Sequence, residues 1–245
     1  MEINGLTNNL MGGKIIFMHI PKTAGTSFKN SLINHFDDNY IFPSKKLMRK
    51  YGGRYPDSWD FLKYKGSLEK SKLIYGHYPN HLLNKINNEG YIKITFVRDP
   101  IKRTISHLKH LKLYNEKFCS MTLEEIFRHE SLNINQFDNL QTRYFLNGAP
   151  NKKLNYNNLK IAKKNLKSFT FIGVTEYYQQ SLEILNERLE LKLEEIKVNT
   201  FDENYNSKSV KLDFKIDEDL FFEIYESNRF DIELYNVILS DLKPS

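Results

Sequence analysis

Residues 14–31 read KIIFMHIPKTAGTSFKNS and carry the clearest local pattern of the chain. The apolar run from Lys14 to Ile20 predicts a buried strand of the kind found in the centre of parallel sheets. Pro21 ends the strand, and a lysine, a glycine and two hydroxyl residues follow at a predicted helix start. Free N–H groups and the helix dipole favour an anion there. The stretch therefore predicts a cradle for a phosphate or sulfate group.

The stretch does not match the phosphate loop of nucleotide triphosphatases. In the pattern GxxxxGK[ST] the lysine follows a glycine, whereas Lys22 precedes Gly25 by three residues. A glycine at this bend also fits an ordinary connection between a strand and a helix. On these residues alone, both an anion-binding loop and a plain α/β connection stay open.

Composition limits the fold and the compartment. A chain of 245 residues and 29.1 kDa suits one α/β domain over residues 1–245. The single cysteine, Cys119, excludes an intramolecular disulfide, and we interpret it as a small buried apolar residue. No apolar run approaches the roughly 18 residues of a membrane span, and the N-terminal residues lack a basic segment followed by an apolar one. We therefore expect a cytoplasmic protein without a membrane span.

The net charge of +6 would suit nucleic acid, an anionic membrane or a small anionic ligand. Lys and Arg are spread along the chain among 30 acidic residues, and no zinc spacing or RNA-binding aromatic motif is present. The chain also has no HExxH or paired CxxC pattern. We expect no nucleic-acid partner and no catalytic metal.

A second strand and turn resemble the first in layout. The segment from Tyr91 to Val97 predicts another strong strand, and Arg98, Asp99 and Pro100 follow at its carboxyl end. Apolar residues at helical spacing then predict a helix from Ile101 to about Leu113, with proline in its first turn. Polar groups at this position are well placed for function, because open α/β sheets bind ligands at the carboxyl ends of their strands.

Two strings closely resemble motifs of one enzyme family. HIPKTAGTS is similar to the 5′-phosphosulfate loop of carbohydrate-type sulfotransferases, the group that includes the Golgi 2-O-sulfotransferases, and FVRDPIKRTISH is similar to their 3′-phosphate motif. The resemblance implies the donor 3′-phosphoadenosine 5′-phosphosulfate (PAPS), which leaves as PAP. It also implies a P-loop-like α/β fold whose central, mainly parallel sheet is flanked by helices.

The resemblance also implies roles for individual residues. In the family the loop lysine contacts the sulfuryl group, the Gly-Thr-Ser segment holds the 5′-phosphate, and the arginine and later serine hold the 3′-phosphate. Carried over, the donor-binding residues are Lys22, Thr23, Ala24, Gly25, Thr26, Ser27, Arg98 and Ser106.

His77 is the candidate general base. It follows a predicted short strand from Ser71 to Tyr75, and an imidazole suits proton abstraction near neutral pH. Gly76-His77 resembles the GH element that carries the base in 2-O-type members of the family. Competing histidines have plain interpretations: His19 as a packed core residue, and His107 and His110 as solvent-facing residues of a helix.

Residues 37–70 are rich in Tyr, Gly and Lys and have poor periodicity, which predicts a loop-rich insertion. Tyr51, Tyr55, Trp59 and Tyr64 lie there among basic residues. They fit the rim of an acceptor site and, equally, a set of aromatic anchors that fix the insertion.

Later segments resemble the family less specifically. NLQTRY (residues 139–144) is similar to its NxQTR segment and FTFIGVTE (169–176) to a later strand and turn, and both also fit an ordinary helix and strand. Thr122 and Glu125 predict a capping box. The patterns at 181–193 and 217–242 predict further helices.

The sequence therefore predicts a PAPS-dependent sulfotransferase. Lys22 and His77 are the expected catalytic residues, and the acceptor is a hydroxyl of a saccharide or of another small hydroxyl compound. Two alternatives stay open: a P-loop-like kinase that uses ATP, and a nucleotide-binding module without catalytic activity.

Overall fold

The computed structural model describes residues 13–130, 132, 136–194 and 214–242. The strands within these residues are β1 Lys14–Met18, β2 Ile41–Phe42, β3 Leu73–Gly76, β4 Tyr91–Val97 and β5 Phe171–Val174. The helices are α1 Gly25–Ile33, α2 Lys45–Lys50, α3 Ser58–Lys63, α4 Lys65–Lys70, α5 Asn80–Leu83, α6 Pro100–Tyr114, α7 Leu123–Phe127, α8 Leu140–Tyr144, α9 Tyr156–Leu166, α10 Tyr178–Leu189, α11 Glu218–Ser227 and α12 Arg229–Leu242. The predicted single domain over 1–245 includes residues outside the described ranges and stays a prediction.

The five strands form one parallel sheet in the order β2-β3-β1-β4-β5. Parallel neighbours need crossover connections, which helices usually provide. This arrangement confirms the predicted α/β fold with a central parallel sheet flanked by helices.

The alternation of side chains in β1 shows how helices cover both faces. Ile15 and Phe17 belong to one core cluster, which also contains residues of α1 and α10. Ile16 and Met18 belong to another, with residues of α9 and α12. Burying each such side chain contributes about 1.5 to 3 kcal/mol, so the central strand ties both layers together.

Some element boundaries differ from the predicted ones. β1 ends at Met18, two residues before the predicted end, although Ile20 remains fully buried. The helix predicted at 181–193 is α10, which ends where Glu190 adopts a left-handed conformation (φ 52°). The capping box is confirmed, since the Thr122 side chain accepts from the Glu125 N–H and the Glu125 side chain accepts from the Thr122 N–H.

Residues 37–70 contain more regular structure than their periodicity predicts. The edge strand β2 and three one- to two-turn helices lie there. Local side-chain caps explain two of the three helices: Ser44 accepts from Leu47 N–H at the start of α2, and Asp57 accepts from two N–H groups at the start of α3.

The interpretation of Cys119 as a buried residue is wrong, because its side chain is exposed. It lies in the turn between α6 and α7, where its thiol donates to the Glu116 carbonyl at 3.2 Å. No helix among the described residues combines the length and the apolar character needed to cross a membrane.

Candidate functional site

Three neighbouring strands bring the predicted site residues to one edge of the sheet. Residues 22–27 follow β1, His77 follows β3 and Arg98 follows β4. β1 lies between the other two, with Met18 paired to Gly76 on one side and to Thr95 on the other. The carboxyl ends of all three strands therefore meet where parallel sheets commonly bind ligands.

The backbone of the loop after β1 is strained. Lys22 (φ 70°) and Ala24 (φ 59°) both adopt the left-handed region, which side chains with a Cβ rarely occupy. Between them, the buried Thr23 hydroxyl donates to the Ile20 carbonyl at 2.8 Å and fixes the loop. Such strain costs about 1 to 3 kcal/mol per residue and is concentrated at functional sites.

The start of α1 offers backbone donors. Ala24 is its N-cap, no described side chain caps it, and the Phe28 N–H makes a helical bond back to the Ala24 carbonyl at 3.2 Å. The N–H groups of Gly25, Thr26 and Ser27 precede that bond and have no intrahelical partner. The Thr26 side chain is exposed and that of Ser27 half-buried. These groups could bind an anion.

A buried histidine requires glycine at the first position of α1. A Cβ at Gly25 would lie only 1.9 Å from His19 Cδ2. His19 is 6% exposed, which confirms its interpretation as a packed core histidine. Its Nδ1 lies 3.2 Å from Tyr55 Oη.

Two cations lie next to each other at this edge. Arg98 Nη1 donates to the Lys22 carbonyl at 3.2 Å. Burial, and then the charge of Arg98, lowers the pKa of Lys22 to about 8. Arg98 Nε is buried without a hydrogen-bond partner among the described residues and lies 3.9 Å from Glu176 Oε1. A multiply charged anion fits this pair of cations. Its negative charge would offset both their loss of hydration on burial and their repulsion of each other.

Ser106 lies on α6, the helix that follows Arg98, and is half-buried. One residue later, His107 Nε2 lies 3.0 Å from Gln136 Oε1 and its ring is also half-buried. Burial, followed by the charge of Arg103, lowers the pKa of His107 to about 4. The expectation that His107 faces solvent is therefore wrong, whereas His110 is exposed as expected.

His77 is held in one tautomer. Its Nδ1 lies 2.7 Å from the His19 carbonyl, and because a carbonyl only accepts, Nδ1 of the neutral ring carries the proton. Nε2 is then left with a lone pair, as a general base requires. Although the side chain is exposed, neighbouring protein desolvates the ring and lowers its pKa, against the raising effect of that hydrogen bond.

Tyr55 links residues 37–70 to this edge of the sheet. Its ring packs edge-on against His77, with centroids 4.8 Å apart, in addition to its contact with His19. Tyr51 and Tyr64 instead pair through their hydroxyls at 3.3 Å, as anchors would. The sequence pointed to these aromatic residues as a group, but could not single out Tyr55.

Two residues outside the predicted set contact the backbone at Arg98. The Gln141 side chain hydrogen-bonds to the Arg98 peptide groups, and the Glu176 carboxylate accepts from the Asp99 N–H. Both residues lie in segments whose resemblance to the family is visible in the sequence, 139–144 and 169–176. Sequence alone did not indicate their partner.

The described residues contain no group of three or more His, Cys, Asp or Glu side chains placed to hold a metal ion. Cavities of about 650 and 710 Å³ lie elsewhere, one lined by residues of α11 and α12 and the other by residues around the end of α1. None of the predicted site residues lines either cavity.

Comparisons with known proteins identify the family of the chain. A protein-family model described as "Sulfotransferase family" matches residues 12–237. The chain is similar to heparan-sulfate 6-O-sulfotransferase 1-A of Danio rerio, with 23% identity over 266 residues, which cover 91% of this chain and 63% of that protein. It is similar to heparan-sulfate 6-O-sulfotransferase 1-B of the same organism, with 23% identity over 271 residues, 91% of this chain and 64% of that protein. The chain thus spans less than two thirds of the length of these relatives.

Proposed function

The chain belongs to the sulfotransferase family, and we propose that it transfers the sulfuryl group of PAPS to a hydroxyl group of a saccharide. The observation that carries the proposal is the contact between Arg98 Nη1 and the Lys22 carbonyl at 3.2 Å. It joins the two motifs that the family uses for the two ends of one nucleotide, at the edge that also presents His77.

Each donor-binding residue has a proposed role. Lys22 and the N–H groups at the start of α1 bind the 5′-phosphosulfate, with Thr23 and Ala24 shaping the loop and the hydroxyls of Thr26 and Ser27 adding contacts. Arg98 and Ser106 bind the 3′-phosphate. PAPS, when bound, supplies the sulfuryl group and leaves as PAP.

His77 acts as the general base in this proposal. Its Nε2 accepts the proton of the acceptor hydroxyl as that oxygen bonds to sulfur and the bond between sulfur and the 5′-phosphate oxygen breaks. The bonding electrons of the broken bond stay on the phosphate, where the Lys22 ammonium stabilises the added charge. Removing such a charge-stabilising donor typically lowers the rate by about 10² to 10³.

The names of the two relatives support a saccharide acceptor, since both are heparan-sulfate 6-O-sulfotransferases. Tyr55 and the exposed Trp59 place aromatic surface in the segment beside His77, and aromatic faces suit sugar rings. We propose that residues 37–70 form the acceptor rim.

A transfer assay with labelled PAPS tests the function. The acceptors are desulfated glycosaminoglycan oligosaccharides, neutral oligosaccharides, phenols and simple alcohols, each tested with and without EDTA. We expect label on a saccharide hydroxyl, unaffected by EDTA. Label on none of them would contradict a transferase, and label only on phenols or simple alcohols would contradict the saccharide acceptor.

Binding measurements separate the donor from the kinase alternative. Calorimetry should show PAP bound well over tenfold more tightly than ATP, because Arg98 and Ser106 would contact a phosphate that ATP lacks. Equal affinities would overturn the donor assignment. His77→Ala should bind PAP normally yet transfer label about 10² to 10⁴ times more slowly, while the matched variant His35→Ala, at an exposed position beyond the end of α1, should transfer at the wild-type rate.

A further inference from the structure

The Gln141 side chain takes the place of a neighbouring strand beside Arg98. Its Oε1 accepts from the Arg98 N–H at 2.9 Å, and its Nε2 donates to the Arg98 carbonyl at 2.8 Å. The pairing of β4 with β5 ends one residue earlier, at Val97 with Val174. The side-chain amide therefore satisfies both polar groups of a residue that has just left the sheet.

Gln141 is itself fixed by a reciprocal contact between two helix starts. The Asp231 carboxylate, on α12, accepts from the N–H groups of Gln141 at 2.9 Å and Thr142 at 2.6 Å, at the start of α8. In return, Asn139 Oδ1 accepts from the N–H groups of Phe230 at 2.8 Å and Asp231 at 3.1 Å. Because Gln141 is only 1% exposed, water cannot easily replace the hydrogen bonds that Gln141 makes.

A second group holds the following peptide. The Glu176 carboxylate accepts from the Asp99 N–H, at 3.2 Å to each oxygen, and from the Tyr235 hydroxyl at 2.9 Å. The main chain at Arg98 and Asp99 is thus held by side chains from two later segments. The Arg98 guanidinium, by contrast, reaches the loop after β1 through its bond to the Lys22 carbonyl.

We propose that Gln141 is a positioning residue that fixes the Arg98 peptide so that the guanidinium meets the 3′-phosphate of the donor. The inference rests on the proposed function and assigns a role to the NLQTRY segment. Glutamine suits this role because it provides one donor and one acceptor at the same distance from its backbone. Glutamate lacks the donor, and methionine has similar length but neither group.

The test compares two nucleotides that differ in one phosphate. Calorimetry with PAP and with AMP gives a preference that reports the 3′-phosphate alone. Gln141→Met removes both side-chain hydrogen bonds to the Arg98 peptide, so the guanidinium is held less firmly and the preference for PAP should fall by about tenfold. AMP affinity should stay unchanged. Gln179→Met, at an exposed position of α10, is the matched control and should keep the full preference.

A double-mutant cycle shows whether Gln141 acts through Arg98. In an Arg98→Ala background, Gln141→Met should have no further effect on PAP affinity. An equal loss in both backgrounds, or an unchanged preference in the single variant, would overturn the inference.

Gln141→Glu serves as a second variant of nearly the same shape, in case the methionine variant does not fold. The preference for PAP should fall in it as well, because a carboxylate cannot donate to the Arg98 carbonyl. An unchanged preference in this variant would also overturn the inference. A wild-type protein that binds PAP no more tightly than AMP would instead show that the donor assignment itself is wrong.

Discussion

Replacing Lys22 by methionine should make the protein more stable and less able to bind its donor. Burial, and then the charge of Arg98, lowers the pKa of Lys22 from 10.5 to about 8, so the folded state disfavours the charged form. That difference corresponds to about 3 kcal/mol at most. Because Lys22 is only half-buried, solvent screening reduces the expected gain to about 1 to 2 kcal/mol.

The pH dependence has a definite sign. Below pH 8 Lys22 is charged in both the folded and the unfolded state. The folded state is then destabilised by the full cost of holding that charge partly buried beside Arg98. As the pH rises from about 8 to 10.5, the folded state loses its proton first and the penalty disappears. The stability advantage of Lys22→Met should therefore be largest at pH 7 and vanish near pH 10.5. Methionine keeps the strained left-handed backbone and similar side-chain length, so the charge is the main change.

Thermal unfolding with and without PAP is the assay. At pH 7 the variant should unfold at a higher temperature, by roughly 2 to 4 °C for each kcal/mol in a chain of this size. PAP should raise the unfolding temperature of the wild type more than that of the variant, since a lost charge-assisted contact weakens binding by about 1.5 to 3 kcal/mol. Lys160→Met, at an exposed position of α9, is the control. A Lys22→Met protein less stable than wild type at pH 7 would refute the reasoning.

Further predictions concern other parts of the molecule. Gly25→Ala should lower both stability and PAP affinity, because its Cβ would lie 1.9 Å from His19 Cδ2; normal PAP binding would show that the ring can move away. His77→Ala should lower kcat by about 10² to 10⁴, and the wild-type kcat should decline only below pH 6.5, since burial lowers the His77 pKa. A variant with wild-type kcat from about pH 6 to 9 would place the base elsewhere. Thr122→Ala should cost about 1 kcal/mol in urea unfolding through loss of the capping box, with unchanged PAP affinity. Cys119 should react with a thiol reagent in the native protein, and slow reaction would contradict its exposure.

The sequence predicted the parts of the fold and site that depend on local pattern. β1 and β4 are apolar runs that end in a distinctive turn, so their positions, and the loops that follow them, could be read from neighbouring residues. The parallel sheet then places the ends of both strands at one edge. The exposure of Cys119 could not be predicted for a related reason. Cysteine is buried in most proteins, and the turn that contains Cys119 has no periodic pattern of apolar residues from which its exposure could be inferred.

Contacts between distant segments could not be predicted in this way. Gln141 is 43 residues from Arg98, and Glu176 is 77 residues from Asp99, yet both hold the main chain at the candidate donor site. The sequences of their segments also fit an ordinary helix and an ordinary strand. A hydrogen bond from a side chain to a distant main chain produces no periodic pattern in the sequence, so these contacts could not be predicted. The tautomer of His77 likewise depends on a carbonyl 58 residues away in sequence.

The arrangement at the sheet edge also bears on whether the protein binds a nucleotide or acts on one. A binding module would need the strained loop, the uncapped start of α1 and the two cations, all of which an anion would stabilise. It would have no need for a histidine beside them whose Nδ1 is fixed by a carbonyl and whose Nε2 is left to accept a proton. His77 follows β3, the strand adjacent to β1, so it lies at the same edge of the sheet as the loop proposed to bind the donor. The pairing of an anion cradle with a fixed imidazole therefore favours a transferase over a binding module.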